Sequence, residues 1–350
     1  MPTSLRERVC VVTGASRGIG KAVAVALGQS GATVYITGRT INGQSRGTCK
    51  VSGCLKETAQ LIEDLGGKAI PVAVDHSDDS QVAGLFSRIR REQGGRLDVL
   101  VNSAYSASDY LITEAVPESV YWEPSTVARS PSEEWDLVNR VGLRNAYTCC
   151  VLATRLMVEC RSRQHLTNGE STPALIDLPT GVIINLSSIG GTQRLFNVLY
   201  CVGKSALDRM SMEMARDLRR RNVDVAVISL LLGPIQTETV LAALESGSAP
   251  RFITDAVRVG LDMPLELPGE IVCSLVDQSR QALISQSGKC LFGTELARKF
   301  RLRDRNGKYP KSPLAVKSLL QLAGWKRLAY FVPEFLKIPL WALAIMTSKF

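Results

Sequence analysis

The sequence predicts an α/β protein built on a doubly wound parallel sheet with helices on both faces. Short β-branched runs alternate with stretches of helical apolar spacing, a glycine-rich turn joins the first run to the first such stretch, and no internal repeat interrupts the order. A chain of 350 residues can form one large domain or two small ones. Its 45% hydrophobic and 21% charged residues exclude collagen-like and wholly disordered classes.

The strands are predicted where β-branched residues cluster, and the helices where apolar residues recur every three or four positions. Glycine pairs end two of the helices. Because the sheet is parallel, the loops at its carboxyl edge are the expected ligand site. The predicted strands are Val9–Thr13, Ala32–Thr37, Ile70–Val74, Leu97–Asn102, Val182–Leu186 and Val225–Leu232. The predicted helices are Lys21–Gln29, Leu55–Leu65, Ser80–Arg91, Trp135–Glu159 and Ser205–Arg219.

We expect one domain over residues 1–300 and a basic, apolar extension over 301–350. The extension has ten Lys and Arg against two acids, so it carries +8 of the net charge of +9. A nearly neutral body argues against nucleic-acid binding. Residues 41–53 and 161–180 are polar insertions, which we interpret as surface loops, with a substrate lid as the alternative.

The cysteines and histidines favour neither a disulfide scaffold nor a metal site. The nine cysteines are odd in number and include no C-x-x-C pair, which favours a reducing compartment. His76 and His165 are the only histidines and stand far apart, so we expect no metal.

The glycine-rich turn predicts a dinucleotide site. Glycine lets the backbone turn sharply and approach a pyrophosphate, and the helix that follows offers free N–H groups. The alternative is an ordinary tight turn. The residues offered to a cofactor here are Gly14, Ser16, Arg17, Gly18, Ile19 and Gly20.

The end of the second predicted strand indicates which dinucleotide binds. In NAD sites an acidic side chain at this place binds the ribose 2′-hydroxyl. Here the chain has Arg39 and no carboxylate, and with Arg17 it could clamp a 2′-phosphate. The coincidence favours NADP(H) over two solvated surface charges.

A tyrosine, a lysine and a serine form the candidate catalytic set. Tyr200 and Lys204 lie four residues apart on one helix face, and an adjacent ammonium would lower the pKa of a phenol toward the working range. Ser187 follows the fifth predicted strand and stands thirteen residues before Tyr200. A lone Tyr and Lys at this spacing is common by chance, but the serine makes the combination specific.

These residues resemble the short-chain dehydrogenase/reductase family over roughly residues 7–240, which implies a Rossmann-type fold. The resemblance implies that the serine polarises a substrate carbonyl, that Tyr200 transfers the proton, and that Lys204 holds the nicotinamide ribose. Asn139 would support a proton-relay water. The family's serine stands three residues before the next glycine, here Gly190, which selects Ser187 and leaves Ser188 as the alternative.

The same resemblance implies further cofactor contacts. Asp75 matches the adenine-contacting acid, Asn102 the first residue of an Asn-Asn-Ala segment, and Thr237 the carboxamide-contacting threonine. Two positions depart from the family pattern. Ser103 replaces an asparagine, and Leu232 precedes Gly233 where proline is usual.

The resemblance implies an NADPH-dependent carbonyl reductase, with a catalytically idle NADP(H)-binding scaffold or sensor as the alternative. An apolar substrate loop over residues 238–268 favours a lipophilic carbonyl substrate. The stretches 288–290, 297–307 and 347–350 resemble family members that are associated with the endoplasmic reticulum and reduce steroids and xenobiotics.

The end of the chain, residues 325–350, mixes aromatic residues with lysines. Its longest uncharged stretch is 11 residues, against about 20 needed to span a bilayer. We therefore expect peripheral attachment to the cytosolic face of the endoplasmic reticulum. The alternative is a cytoplasmic protein whose tail packs on its own surface or between subunits of a homo-oligomer.

Overall fold

A computed structural model describes residues 4–43, 53–114, 120–123, 129–166, 178–339 and 341–342. Within them, seven parallel strands form one sheet in the order β3-β2-β1-β4-β5-β6-β7. The expected doubly wound α/β fold is thus confirmed. The strands are β1 (Val9–Val12), β2 (Thr33–Gly38), β3 (Lys68–Ala73), β4 (Val99–Asn102), β5 (Gly181–Ser188), β6 (Val225–Leu232) and β7 (Cys290–Phe292).

The helices follow the strands and cover both faces of the sheet. They are α1 (Gly18–Gln29), α2 (Leu55–Asp64), α3 (Asp79–Glu92), α4 (Pro131–Asn139), α5 (Ala146–Leu166), α6 (Val198–Arg220), α7 (Glu238–Glu245), α8 (Arg251–Val259), α9 (Leu267–Val276), α10 (Arg280–Gln286), α11 (Gly293–Lys299), α12 (Val316–Leu322) and α13 (Lys326–Phe331). One described core packs α1, α2, α9 and α11 on the sheet, and the other packs α3, α5 and α6 on the opposite face.

The central strands are buried along almost their whole length and are largely apolar, because both of their faces are covered. All eight residues of β6 are buried, and β5 has seven of its eight buried. At the carboxyl end of β5 the run gives way to Ser187 and Ser188, which are also buried. The hydroxyls are therefore carried into the sheet edge on a rigid strand.

Three predicted elements differ in the structure. The long helix Trp135–Glu159 is α4, a π-helical turn (Arg140–Asn145) and α5, which continues through part of the insertion predicted at 161–180. The helix predicted from Ser205 begins at Val198, and the apolar loop 238–268 contains the helices α7 and α8. Residues 44–52 and 167–177 of the two insertions lie outside the described residues.

The extension packs back on the body of the protein through its described part. Leu314 and Ile338 join Leu231 and Phe292 in a small apolar cluster, and Lys337 forms an ion pair with Glu295. Beyond α12 the aromatic side chains point outward, with Tyr330, Phe331 and Phe335 exposed by 80%, 79% and 77%. No helix in the described ranges is long and apolar enough to cross a membrane.

Candidate active site

A cavity of about 850 Å³ opens at the carboxyl edge of the sheet. The glycine-rich turn and the end of β2 line one part of it, and Tyr200, Lys204 and both serines line another. Its lining includes every residue that sequence analysis assigned to the site except Asn139. Such a volume is typical of a site for a cofactor or drug-sized ligand.

The glycines of the turn are required by close approaches of the backbone. Gly14 has φ +68°, and a Cβ there would lie 2.6 Å from Cα of Ala104. A Cβ on Gly20 would overlap the carbonyl oxygen of Gly14. Side chains at these positions would clash with the neighbouring backbone, so glycine is required for the tight turn that leads into the N-terminus of α1, where a phosphate can bind. The residues present therefore fit a dinucleotide.

The end of β2 carries no acid, as the sequence indicated. Arg39 is exposed and close enough to Asp75 to affect its carboxyl. Burial alone would raise the pKa of Asp75, but hydrogen bonds from Ser77 and the charge of Arg39 lower it. Arg17 forms an ion pair with Asp109 at 3.2 Å, a partner that sequence analysis did not identify.

Thr237 and Asn102, two further candidate cofactor-binding residues, also form structural hydrogen bonds. Thr237 caps α7, its hydroxyl accepting a hydrogen bond from the backbone N–H of Val240. Asn102 is buried and donates to the side chain of Asn185 at 2.8 Å, which ties β4 to β5.

His76, discounted as a metal ligand, lies in the wall of this cavity. It is buried, with Nε2 2.8 Å from Oγ1 of Thr37 and Nδ1 3.0 Å from Oδ1 of Asn145. Its contacts join the end of β2 to the π-helical turn. The described ranges contain no cluster of three His, Cys, Asp or Glu side chains that could hold a metal.

Tyr200 is set in the first turn of α6 by a cap. The side chain of Asn197 accepts a hydrogen bond from the backbone N–H of Tyr200 at 3.0 Å. Phe196, just before the cap, has φ +53°, a strained conformation of the kind found at functional sites. Its ring packs edge-on against Tyr200 at 4.9 Å and against Phe252 at 4.7 Å. The phenol is thus held by the cap and by aromatic packing.

The two serines point to different partners on α6. The hydroxyl of Ser188 lies close enough to Tyr200 to lower the pKa of its phenol. Ser187 lies near enough to Asp208 to lower the pKa of that carboxyl, but its hydroxyl has no well-formed hydrogen bond among the described residues. Counting residues selected Ser187. Both serines line the cavity, and the proximity of Ser188 to Tyr200 supports Ser188 as the alternative to Ser187.

The pKa of Tyr200 in the structure differs from the one that the sequence predicted beside Lys204. Burial raises the pKa of Tyr200 to about 12, and the nearby Ser188 hydroxyl opposes the rise. Burial also lowers the pKa of Lys204 to about 8. The predicted fall in the Tyr200 pKa is therefore wrong for the cofactor-free protein, since desolvation of the phenolate outweighs the nearby ammonium. At neutral pH the phenol holds its proton and can donate it.

Lys204 and Asp208 lie one helical turn apart beneath the site. The Lys204 ammonium donates to the carbonyl of Leu186 at 3.0 Å. Asp208 accepts a 2.6 Å hydrogen bond from Ser229 of β6. Burial raises the pKa of Asp208, while the hydrogen bond from Ser229, the nearby Ser187 hydroxyl and the charge of Lys204 oppose the rise. Asp208 was not identified from the sequence, because its spacing alone carries no signal.

Asn139 lies beside α6, outside the cavity lining. It ends α4 and donates from Nδ2 to the carbonyl of Leu199 at 3.3 Å. A Cβ on Gly203 would overlap its Oδ1. The side chain therefore supports the turn of α6 that carries Tyr200.

Comparison with known proteins identifies the family. The family described as short chain dehydrogenase matches residues 8–246. This chain is a short-chain dehydrogenase/reductase. It is 37% identical to human dehydrogenase/reductase SDR family member 1 over 354 aligned positions, which span all of both chains. It is also 28% identical to the Arabidopsis thaliana NADPH-dependent aldehyde reductase 2, over 70% of this chain and 78% of that one.

A solved structure of this dehydrogenase/reductase family supports the same fold. A putative NAD(P)-dependent gluconate 5-dehydrogenase from Beutenbergia cavernae, with bound NADP, superimposes with a TM-score of 0.60 at 25% identity. The match covers 84% of this chain and 97% of that one. The family establishes an oxidoreductase that acts on CH–OH or C=O groups with a nicotinamide cofactor.

Proposed function

We propose that this short-chain dehydrogenase/reductase is an NADPH-dependent reductase of lipophilic ketones or aldehydes. The observation that carries the proposal is that Ser188, Tyr200 and Lys204 line the same cavity as the glycine-rich turn. NADPH would supply the hydride. The glycine-rich turn in front of α1 would hold its pyrophosphate, and Arg39 with Arg17 would hold its 2′-phosphate.

The protein's own groups supply the proton and stabilise developing charge. Ser188 and Tyr200 would donate hydrogen bonds to the carbonyl oxygen, on which negative charge grows during reduction. Tyr200 then gives its proton to that oxygen. Lys204 favours the resulting phenolate by its positive charge. Asn139 is retained as a candidate for holding a relay water through the α6 turn that it supports.

The apolar wall of the cavity supports a lipophilic substrate. Phe196, Phe252 and Leu261 line it from the body, and Leu319 and Leu322 of α12 line it from the extension. These side chains offer burial to an apolar skeleton while the hydroxyls fix its carbonyl.

The test is NADPH oxidation over a panel of steroids, quinones and small aldehydes. We expect turnover with lipophilic members of the panel. Tyr200→Phe should lower it by about 10²–10⁴-fold, the loss typical of removing a general acid, with NADPH affinity unchanged. Ser188→Ala should cost more activity than Ser187→Ala. Bound NADPH without turnover of any compound would instead indicate a non-catalytic cofactor-binding protein.

We also propose that the exposed aromatic side chains of α13 and the following turn touch a membrane surface at the cytosolic face of the endoplasmic reticulum. Tyr330, Phe331 and Phe335 are exposed next to Lys326 and Arg327, and this mixture suits the headgroup boundary. The alternative is a contact between subunits of a homo-oligomer, which would persist without lipid.

A further inference from the structure

Tyr105 is a half-buried tyrosine in the cavity that holds Tyr200 and Lys204, and the proposed mechanism does not explain its place. It lies in the loop after β4, and its ring meets the ring of Tyr200 edge-on at 6.3 Å. The Lys204 ammonium lies over the Tyr105 ring, 5.1 Å from its centroid, and 5.8 Å from the centroid of Tyr200. Both distances fall within the range of an attractive cation–π contact, and the one to Tyr105 is the shorter.

The chain leaves space for this ring at a distant position. A Cβ on Gly142, in the π-helical turn between α4 and α5, would lie 2.5 Å from Cε2 and 2.7 Å from Cδ2 of Tyr105. Real side-chain carbons do not approach so closely, so the ring requires glycine there. Tyr105 and Gly142 therefore form a matched pair that fixes the ring beside Lys204.

The ring is held by packing and not by its hydroxyl. The Tyr105 oxygen is buried and has no hydrogen-bond partner among the described residues. Its surroundings are the cluster of Tyr110, Leu137, Leu199 and Cys201. The part of Tyr105 that contacts Lys204 is therefore its aromatic face.

The Lys204 ammonium has few other groups to compensate its burial. It has three N–H donors, and among the described residues the carbonyl of Leu186 accepts one. The charged and titratable groups that face it are Asp208 and Tyr200 of its own helix and Tyr105 of the loop after β4. Asp208 is already engaged by Ser229.

We propose that Tyr105 is a positioning residue whose aromatic face keeps Lys204 charged and in place beside Tyr200. The consequence rests on the proposed function: a neutral lysine does not favour the phenolate, so Tyr105 sets the alkaline limit of carbonyl reduction. Tyr105 itself transfers no proton.

The direct test is the titration of Lys204 in full-length protein labelled with ¹³C-lysine, followed by NMR of the ε-carbon. Lys204→Arg identifies the resonance. Tyr105→Leu removes the aromatic face and should lower the pKa of Lys204 by about 0.4–1.5 pH units, from the usual strength of buried cation–π contacts. Tyr105→Phe keeps the face and should leave the titration close to wild type.

Two further variants distinguish the loss of the Tyr105 ring from a general loss of structure. Tyr147→Leu removes an exposed tyrosine of α5 and should change nothing. Gly142→Ala keeps Tyr105 but displaces its ring, so it should lower the pKa of Lys204 as Tyr105→Leu does. This variant also serves if Tyr105→Leu does not fold, which thermal unfolding will show.

An unchanged or raised pKa of Lys204 in folded Tyr105→Leu would overturn the proposal, because a rise means that the ring acts by excluding water. In an active enzyme, the pKa on the alkaline side of the kcat–pH profile should fall in Tyr105→Leu by the same amount as the pKa of Lys204. It should not fall in Tyr105→Phe. If the wild type reduces no carbonyl, the proposed function fails while the titration still decides the role of Tyr105.

Discussion

Glu238 occupies part of the site that the structure offers to an anion. It is the first residue of α7, and its Oε2 accepts a hydrogen bond from the backbone N–H of Gly18 at 3.2 Å. Gly18 begins α1, whose N-terminus favours negative charge. A cofactor pyrophosphate must therefore displace this carboxylate or bind beside it. We expect Glu238→Gln to bind NADP(H) more tightly than the wild type.

The size of the gain follows from the contact. Two unit charges 4 Å apart repel by about 1 kcal/mol in water and about 4 kcal/mol near a protein surface. The carboxylate is only partly buried, so solvent screens its charge and we take the lower figure. Since about 1.4 kcal/mol is a factor of ten, Kd should fall by about 3- to 10-fold.

The assay is calorimetric titration of each protein with NADP⁺ at two salt concentrations. The gain should shrink at high salt, because screening weakens the repulsion in the wild type. Glu245→Gln is the matched control, since it neutralises an exposed acid at the other end of α7. An unchanged or weaker affinity in Glu238→Gln would refute the reasoning and show that Glu238 orders α7 without opposing the cofactor.

Three other perturbations test the cofactor, the surface and the buried histidine. Arg39→Ala should raise KM for NADPH several-fold and leave KM for NADH unchanged, because the 2′-phosphate is present in NADPH alone; equal effects on both would contradict the assignment. Phe331→Ser with Phe335→Ser should abolish binding to anionic liposomes without changing Tm, since both rings are exposed; retained binding would exclude them as the contact. Burial lowers the pKa of His76, so the unfolded chain binds that proton first and stability falls as the pH drops below about 6.5. His76→Asn should show a smaller loss of unfolding free energy between pH 7.5 and 5.5 in urea titrations, and an equal loss would assign it to other groups.

The parts of the fold that the sequence predicted are those with strong local patterns. Strands such as β6 are continuous apolar runs, and Tyr200 and Lys204 lie four residues apart as the helix requires. The strand β7 was missed because its three residues are too few to show a period. Sequence analysis predicts a loop where α7 and α8 lie, because it uses the number of apolar residues in 238–268 and not their helical spacing.

The parts that could not be predicted arise where separate segments meet. Ser187 and Ser188 are adjacent, and only the packing of α6 decides which hydroxyl reaches the phenol. Tyr105 and Gly142 are separated by a helix, and nothing in either local sequence shows that one makes room for the other. The raised pKa of Tyr200 likewise depends on burial, which a spacing rule does not contain.

The packing of the extension has a consequence for how such enzymes can be recombined. Leu319 and Leu322 belong to α12 yet line the same cavity as Tyr200. The segment that follows α13 is held to the body of the protein by the ion pair of Lys337 with Glu295. A chimaera that took its last fifty residues from another reductase would exchange part of the substrate wall together with the surface that α13 presents. This part of the cavity wall and the surface that we propose to touch a membrane would then be exchanged together, and neither could be replaced without altering the other.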